Sequence, residues 1–265
     1  MKVLVTVKEV AEVEDEFEIN GLRIDDRYLE YDLNEWDNYA IEEGVQLKEE
    51  SDDDVEVVVA TLGPERSEET IRMALAKGAD RAIRVWDPAL DDCSFINHNT
   101  VSEILAAVVE DENPDLVLTG VQASDDANGA TGVALADRLG TSWAAVVNDL
   151  SFSSSGSPVS IRRELEGGVE ELTSVELPAV LTIQTGINEP RYASLRGIRQ
   201  AQSKEIASKT LADYGLDENV LETSLTRTDM YKPETESDAT IFEGDATETA
   251  GQLATLLNEK GVNAQ

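Results

Sequence analysis

The chain has 265 residues, 41% of them hydrophobic and 5% aromatic, enough for one large α/β domain with an appendage or for two small domains. Its 55 acidic residues against 21 basic ones give a net charge of −34, which argues against nucleic acid or an anionic membrane as a partner. A single cysteine, Cys93, and a single histidine, His98, exclude an internal disulfide and a histidine metal cluster, and fit a reducing, cytoplasmic setting.

The acid is spread along the whole chain rather than gathered in a tail, and periodic apolar segments argue against disorder. Such a surface suits concentrated salt, where at ~1 M the Debye length is about 3 Å and self-repulsion is largely screened. No apolar run is long enough to span a bilayer, and Met1-Lys2 leads directly into a strand signal rather than a leader.

Lys2 to Val7 is almost continuously apolar, as in a strand buried on both faces of a parallel sheet. An acidic connection follows, with a strand-like stretch at Ile19–Ile24. Asn34 then stands as N-cap to a helix over about Glu35–Glu50, whose stripe is Trp36, Ala40, Gly44 and Leu47. Val55–Leu62 is a second core strand, ended by Gly63-Pro64. Ser67 starts a helix closed by Gly78, and Ala82–Val85 is a third strand. A helix over about Thr100–Glu112 stops before Pro114, since the residue ahead of proline disfavours helix. Leu116–Thr119 is the fourth strand and Val133–Leu139 the next helix, stopped by Gly140.

Between them lies Gly120–Gly132, GVQASDDANGATG. A strand, a loop of small residues and a helix start present free backbone amides to an anion. Asp125 and Asp126 oppose a phosphate unless they turn aside to cap the loop or contact a sugar. The loop has neither a GxGxxG nor a GxxxxGK[ST] pattern, so an ordinary strand-to-helix loop capped by Asn128 or Thr131 stays open beside nucleotide binding. Strands alternating with helices imply a doubly wound, mostly parallel sheet, whose ligands sit at the carboxyl ends of the strands. Thr6, Leu62 and Gly120 all emerge at that edge.

From Ala144 the pattern changes. Ala145–Val147 reads as a strand, Ser151–Ser157 as a polar turn, and Val159–Leu165 with Val169–Val175 as a β-hairpin insertion around Glu166-Gly167-Gly168. Leu177–Ile183 returns to the core, and Ala193–Lys209 reads as helix. After about Thr210 the chain turns polar and irregular until an amphipathic helix over Thr247–Lys260, stopped by Gly261. The expected organisation is an α/β domain over 1–209, adenine-nucleotide-binding by the resemblance given below, and a C-terminal arm over 210–265 that packs on that domain or on another chain. No nucleophile elbow, HExxH or CxxC occurs, His98 reads as a surface or capping residue, and the chain is expected to bind or transfer rather than to catalyse bond cleavage.

Several segments together resemble the beta subunit of electron-transfer flavoproteins. The densest is Val159–Ile206, with Arg163-Glu164-Leu165-Glu166-Gly167-Gly168-Val169-Glu170, Leu177-Pro178-Ala179-Val180-Leu181-Thr182 and Asn188-Glu189-Pro190-Arg191-Tyr192-Ala193-Ser194-Leu195. Val5-Thr6-Val7-Lys8, Asn34-Glu35-Trp36-Asp37, Leu62-Gly63-Pro64 and Ala74–Arg81 add to it; the arm after Lys209 matches weakly. The resemblance implies a heterodimer with an alpha subunit that holds most of a redox-active FAD, while this subunit holds a structural AMP. It further implies electron flow from acyl-CoA-type dehydrogenases to a membrane quinone oxidoreductase.

By position, the resemblance gives the AMP contacts as Thr6, Asn34, Glu35, Trp36, Asp37, Leu62, Gln122, Ala123, Ser124, Asp125, Asp126, Ala127, Asn128, Gly129, Ala130, Thr131 and Gly132. It makes Arg191, Tyr192, Ala193, Ser194 and Leu195 the segment that docks on partners, with Leu195 its apolar knob. Two departures stand out. The lysine-rich run after the knob is here Arg199-Gln200-Ala201-Gln202-Ser203-Lys204, and Val13 stands where relatives often place an aromatic near the flavin. Relatives that bifurcate electrons carry a second FAD in place of AMP, and a free-standing nucleotide sensor would need no partner; both remain as alternatives.

Charge of this size makes one prediction at once. The melting temperature should fall as salt is lowered from molar to millimolar, and a flat profile in a thermal scan contradicts the reading of the surface.

Overall fold

The computed structural model describes residues 1–91, 93, 95–152, 157–223, 225–233 and 239–262. In chain order the strands are β1 (Lys2–Thr6), β2 (Glu9–Val13), β3 (Ile19–Asn20), β4 (Arg23–Ile24), β5 (Leu29–Leu33), β6 (Glu56–Leu62), β7 (Arg81–Val85), β8 (Leu116–Gly120), β9 (Ser142–Phe152), β10 (Val159–Leu165), β11 (Val169–Val175), β12 (Ala179–Ile183) and β13 (Ile206–Lys209). The helices are α1 (Glu35–Glu50), α2 (Glu68–Lys77), α3 (Pro88–Asp91), α4 (His98–Glu112), α5 (Thr131–Leu139), α6 (Leu195–Ala201) and α7 (Ala246–Glu259).

Nine strands form one sheet in the order β11-β10-β9-β12-β8-β1-β6-β7-β13. Pairing is parallel from β9 to β13 and antiparallel only at β9–β10 and β10–β11, so β10 alone runs against the other strands. The fold is therefore the expected doubly wound α/β sheet with a hairpin insertion. Alternate residues of each central strand serve opposite faces. Val3, Val5, Val57, Val59, Leu118 and Leu181 pack on one side with Ile41 and Val45 of α1 and Ile71 and Leu75 of α2. Leu4, Val58, Ala60, Val117 and Val180 pack on the other with Ile104 and Val108 of α4 and Leu135 of α5. Burial on both faces is why these strands read as unbroken apolar runs rather than as alternating ones.

Four local expectations change. Ala193–Lys209 is not one helix: α6 ends at Ala201, and Ile206–Lys209 joins β7 as a parallel edge strand. The break is fixed from outside the segment, because Arg72 Nη1 donates to the carbonyls of Ala201 and Lys204 at 2.7 Å each, and Lys204 Nζ donates to those of Leu75 and Ala79. The acidic connection after β1 holds two small antiparallel pairs, β2 with β5 and β3 with β4. Asn34 and the loop Gly120–Gly132 depart from their expected capping roles, as described below. The turn expected at Ser151–Ser157 falls partly at 153–156, outside the described residues; Ser151 and Phe152 still belong to β9.

Met1–Met230 is one compact unit and Tyr231–Gln265 a second. The first extends beyond β13, since Leu211 is buried in the core and Tyr214, Leu216, Val220 and Leu221 pack beside it. In the second, Asp245 closes a capping box with Glu248 at the start of α7, whose residues are all outside any core. Among the described residues, no helix is long and apolar enough to cross a membrane.

At the amino-terminal edge of the sheet, Arg81 forks to Glu112 (Nη1–Oε1 2.9 Å, Nη2–Oε2 2.5 Å) and to Glu56 (Nε–Oε1 2.8 Å), and Lys2 Nζ meets Glu112 at 2.9 Å. Arg81 and Lys2, against some opposing burial, hold the Glu112 carboxyl down at about 2. Its stabilisation is therefore present above pH 4.5, the ordinary value, and is lost as pH falls toward 2. Glu112→Gln should cost about 1–3 kcal/mol at pH 7. Urea melts should show the difference from the parent shrinking between pH 4.5 and 2; a pH-independent difference contradicts the account.

Candidate nucleotide crevice

After β1 the chain moves outward to β6 and β7, then returns to place β8 on the other side of β1. Adjacent strands whose connections depart in opposite directions leave a crevice at their carboxyl ends, since no crossover covers it. A cavity of about 250 Å³ lies at this edge. Thr6 at the end of β1 with Val7 and Lys8 beyond it, Leu62 at the end of β6, and Thr119–Gln122 at the end of β8 contribute to its wall, and Asn128–Thr131 lead from it into α5.

Asp37, in the first turn of α1, ties the two strand ends together. Its Oδ2 accepts from the Lys8 amide at 2.7 Å and its Oδ1 from the Gly120 amide at 3.0 Å. Gly120 is required for this approach: a Cβ there would lie 2.4 Å from Asp37 Oδ1 and 2.7 Å from Trp36 Cβ. Burial pushes the Asp37 carboxyl up to about 7, against the pull of the Lys8 amide, Asn34, the Gly120 amide and the Lys8 charge.

Asn34 occupies the N-cap position of α1, but its side chain makes no capping bond. It is committed instead to the loop after β8: Nδ2 donates to the Gln122 carbonyl at 2.9 Å, and Oδ1 accepts from the Ser124 amide at 3.2 Å. Trp36 donates through Nε1 to Gln184 Oε1 at 3.0 Å, beyond the end of β12. Glu35 is exposed on the helix.

The loop itself is folded by its own chemistry. Ala127 (φ 51°) and Gly129 (φ 58°) are left-handed, and the Ala127 amide closes a turn on the Ala123 carbonyl at 2.8 Å. Asp125 and Asp126 are turned aside, meeting Lys8 Nζ at 2.6 and 3.0 Å, while Asp126 Oδ1 also accepts from the Asn128 amide at 3.0 Å. Burial alone would lower the Lys8 pKa, but these two carboxylates outweigh it and hold the ammonium charged. Neither Asn128 nor Thr131 caps α5: the cap position is Ala130, which carries no side-chain acceptor, so no side chain covers the first-turn amides. Gly132 lets that turn press on the sheet, since a Cβ there would lie 2.5 Å from Thr119 Oγ1 and 2.7 Å from Thr182 Cγ2.

The structure thus brings Thr6, Asn34, Asp37, Leu62, Gln122, Ala123, Asp126, Asn128, Gly129, Ala130 and Thr131 to one cavity. Trp36, Ser124, Asp125, Ala127 and Gly132 support it without lining it, and Glu35 faces solvent away from it. Sequence reasoning missed an apolar flank formed by Trp86, Phe95, Ile96, Val101 and Leu105, and also the place of His98. The cap of α4 is Asn97, whose Oδ1 accepts from the Asn99 and Thr100 amides; His98 is its first residue and borders the cavity. The signal was present in connectivity: a helix following β7 in a parallel sheet begins at the carboxyl edge.

Arg191–Leu195 lies apart from this cavity. Tyr192 is 97% exposed and Leu195 80% exposed, Ala193 is half-buried, and Ser194 caps α6 through the Gly197 amide at 3.0 Å. Arg191 is bonded to Glu42 and Glu49 of α1.

The raised Asp37 carboxyl has a signed consequence. The group contributes full stability below its ordinary 3.8 and loses it as pH rises through about 7, because only the unfolded chain ionises in between. Asp37→Asn should therefore gain on the parent as pH rises from 4 to 7, above a constant loss of about 1 kcal/mol for the amide–amide mismatch. Denaturant melts in which that difference stays flat over the window contradict the burial account.

Comparison with known proteins agrees with this geometry. A profile of the electron transfer flavoprotein domain matches residues 21–214. The electron transfer flavoprotein subunit beta of Methylophilus methylotrophus is 48% identical over 264 residues, covering 98% of each chain. That of Bacillus subtilis is 32% identical over 260 residues, again 98% of each. The Bradyrhizobium diazoefficiens protein of the same description is 39% identical over 219 residues, 82% of this chain and 84% of its own. With a doubly wound sheet, a cavity at its switch point and relatives aligned along nearly the whole length, the chain belongs to the electron-transfer flavoprotein beta-subunit family.

Proposed function

We propose that the crevice holds AMP as a structural nucleotide, and that the chain is the beta half of a heterodimer whose alpha subunit carries most of an FAD. Electrons pass from acyl-CoA-type dehydrogenases through that flavin to a membrane quinone oxidoreductase. The bound FAD supplies the redox chemistry; the residues of this chain bind, orient and shield.

The observation that carries the reading is the meeting, in one cavity, of a sheet switch point and a helix start without a side-chain cap. The donors suit a phosphate. The amides of Gly129–Gly132 are small-residue amides at the positive end of α5, and the two loop acids are drawn onto Lys8, which offsets one of their two charges. In a chain of net charge −34, main-chain amides bind an anion without needing a cluster of free cations. The apolar flank of Phe95, Val101 and Leu105 offers a purine a surface to leave water. Asn34 and Asp37 hold the walls together.

Docking on dehydrogenases is assigned to Arg191–Leu195, with Leu195 as the knob. An apolar anchor keeps its strength in concentrated salt, where charge steering is screened. Of the arm expected over 210–265, Leu211–Leu221 pack on this chain's own core, and the remainder is assigned to the partner subunit through its last helix, where Leu253 and Leu257 are exposed. The acidic surface suits a salt-rich cytoplasm.

The test is to co-express the chain with its alpha partner, purify the complex, denature it and count released nucleotides. One FAD and one AMP per heterodimer is the expected result. Two FAD and no AMP assigns the crevice to a second flavin, as in bifurcating relatives. A stable, colourless, partner-free chain removes the carrier reading.

A further inference from the structure

Tyr192 and Leu195 project into solvent, yet the backbone that carries them is held from two sides. On the α2 side, Lys77 Nζ donates to the Arg191 carbonyl at 2.8 Å, and α6 approaches so closely that a Cβ on Gly197 would lie 2.3 Å from the Ala76 carbonyl oxygen. On the α1 side, Arg191 spans two carboxylates two helical turns apart. Its amide and Nε both donate to Glu42 Oε2, at 3.1 and 2.8 Å, and Nη2 reaches Glu42 Oε1 at 3.0 Å. Nη1 and Nη2 reach the two oxygens of Glu49 at 2.7 and 2.9 Å. Asn188 Nδ2 adds bonds to Glu43 and to the Tyr39 carbonyl, so the entry to the segment is fixed as well.

An arginine whose planar fork is filled by two carboxylates of its own chain has little left for a partner's acid. Its geometry instead fixes the backbone immediately before Tyr192 and four residues before Leu195. Glu42 is 5% exposed at its side chain, so this part of the clamp resists the screening that weakens surface pairs. The first turn of the same helix holds the Lys8 and Gly120 amides through Asp37, so one rigid element sets both the crevice and the docking segment.

We propose that Arg191 is a positioning residue: forked across Glu42 and Glu49 of α1, it sets the direction of the Leu195 knob and so the affinity for the docking partner, without touching that partner. The assignment rests on the reading of Leu195 as the docking side chain. Its physical basis is pre-organisation. A segment already ordered in the free protein does not lose conformational entropy on docking, whereas a loosened one must be ordered at that step.

The experiment uses the intact heterodimer and measures KM and kcat for electron acceptance from an acyl-CoA dehydrogenase, with nucleotide content as the folding control. Arg191→Lys keeps the charge but cannot bridge both carboxylates. Glu49→Gln loosens the fork at an exposed position and leaves Glu42 paired, so it reports even if the lysine variant folds poorly. Arg191→Lys should raise KM about tenfold and Glu49→Gln about threefold, with kcat, bound nucleotide and reduction of the flavin by dithionite unchanged. In a Leu195→Ala background, Arg191→Lys should add less than about twofold, because its effect runs through that side chain. Effects that multiply in the double variant, or an unchanged KM in both single variants, overturn the assignment. A Leu195→Ala variant with normal KM overturns the docking reading itself, and the two failures are thereby told apart.

Discussion

One buried carboxylate organises the functional edge of this protein. Asp37 accepts the amides of Lys8, just past β1, and Gly120, the last residue of β8, beyond the point where those two strands pair with each other. Those strands diverge at the switch point, so their ends have no crossover to bridge them. Without an acceptor, two main-chain donors would lie unsatisfied beside the cavity, at a cost of about 1–3 kcal/mol each. Asp37 answers both, and the cost appears in its own raised pKa.

From that residue the remaining geometry follows along α1. Asn34 and Trp36 extend its first turn to the Gln122–Ser124 loop and to Gln184. Further along, Tyr39, Glu42, Glu43 and Glu49 hold Asn188 and Arg191. Gly44 is small enough for the helix to sit directly on Val3, Val5 and Val57 of the central strands. The helix is therefore both part of the core and the common support of two surfaces. The opposite edge of the sheet is closed differently, by the Arg81 fork to Glu56 and Glu112. Acidic residues in this chain are thus not only a solvated coat. A small set of them, buried or half-buried and each hydrogen-bonded, ties element to element.

The family relation and the site reading rest on separate grounds. Identity of 48% along 98% of the chain places the protein among electron-transfer flavoprotein beta subunits whatever its crevice holds. The proposal for the crevice rests instead on its own physics: an uncapped helix start, a small-residue approach and an apolar flank.

What the amino-acid sequence determined by itself is whatever depends on local period and punctuation. The core strands were legible because burial on two faces leaves continuous Val, Leu and Ile runs. Helix α1 was legible to the residue because its stripe and the preceding asparagine agree, and the hairpin because Gly167-Gly168 supplies the left-handed turn between Leu165 and Val169. Tertiary structure alone decided the rest. Asn34 forgoes its cap for a loop nearly ninety residues away. Ile206–Lys209 becomes a strand because β7 offers an open edge. His98 reaches the cavity because α4 follows β7, and Arg191 turns inward because Glu42 and Glu49 stand beneath it. In each case the deciding partner is distant along the chain, and a polar side chain's choice between local and remote hydrogen bonds is settled only when packing brings the remote one within reach.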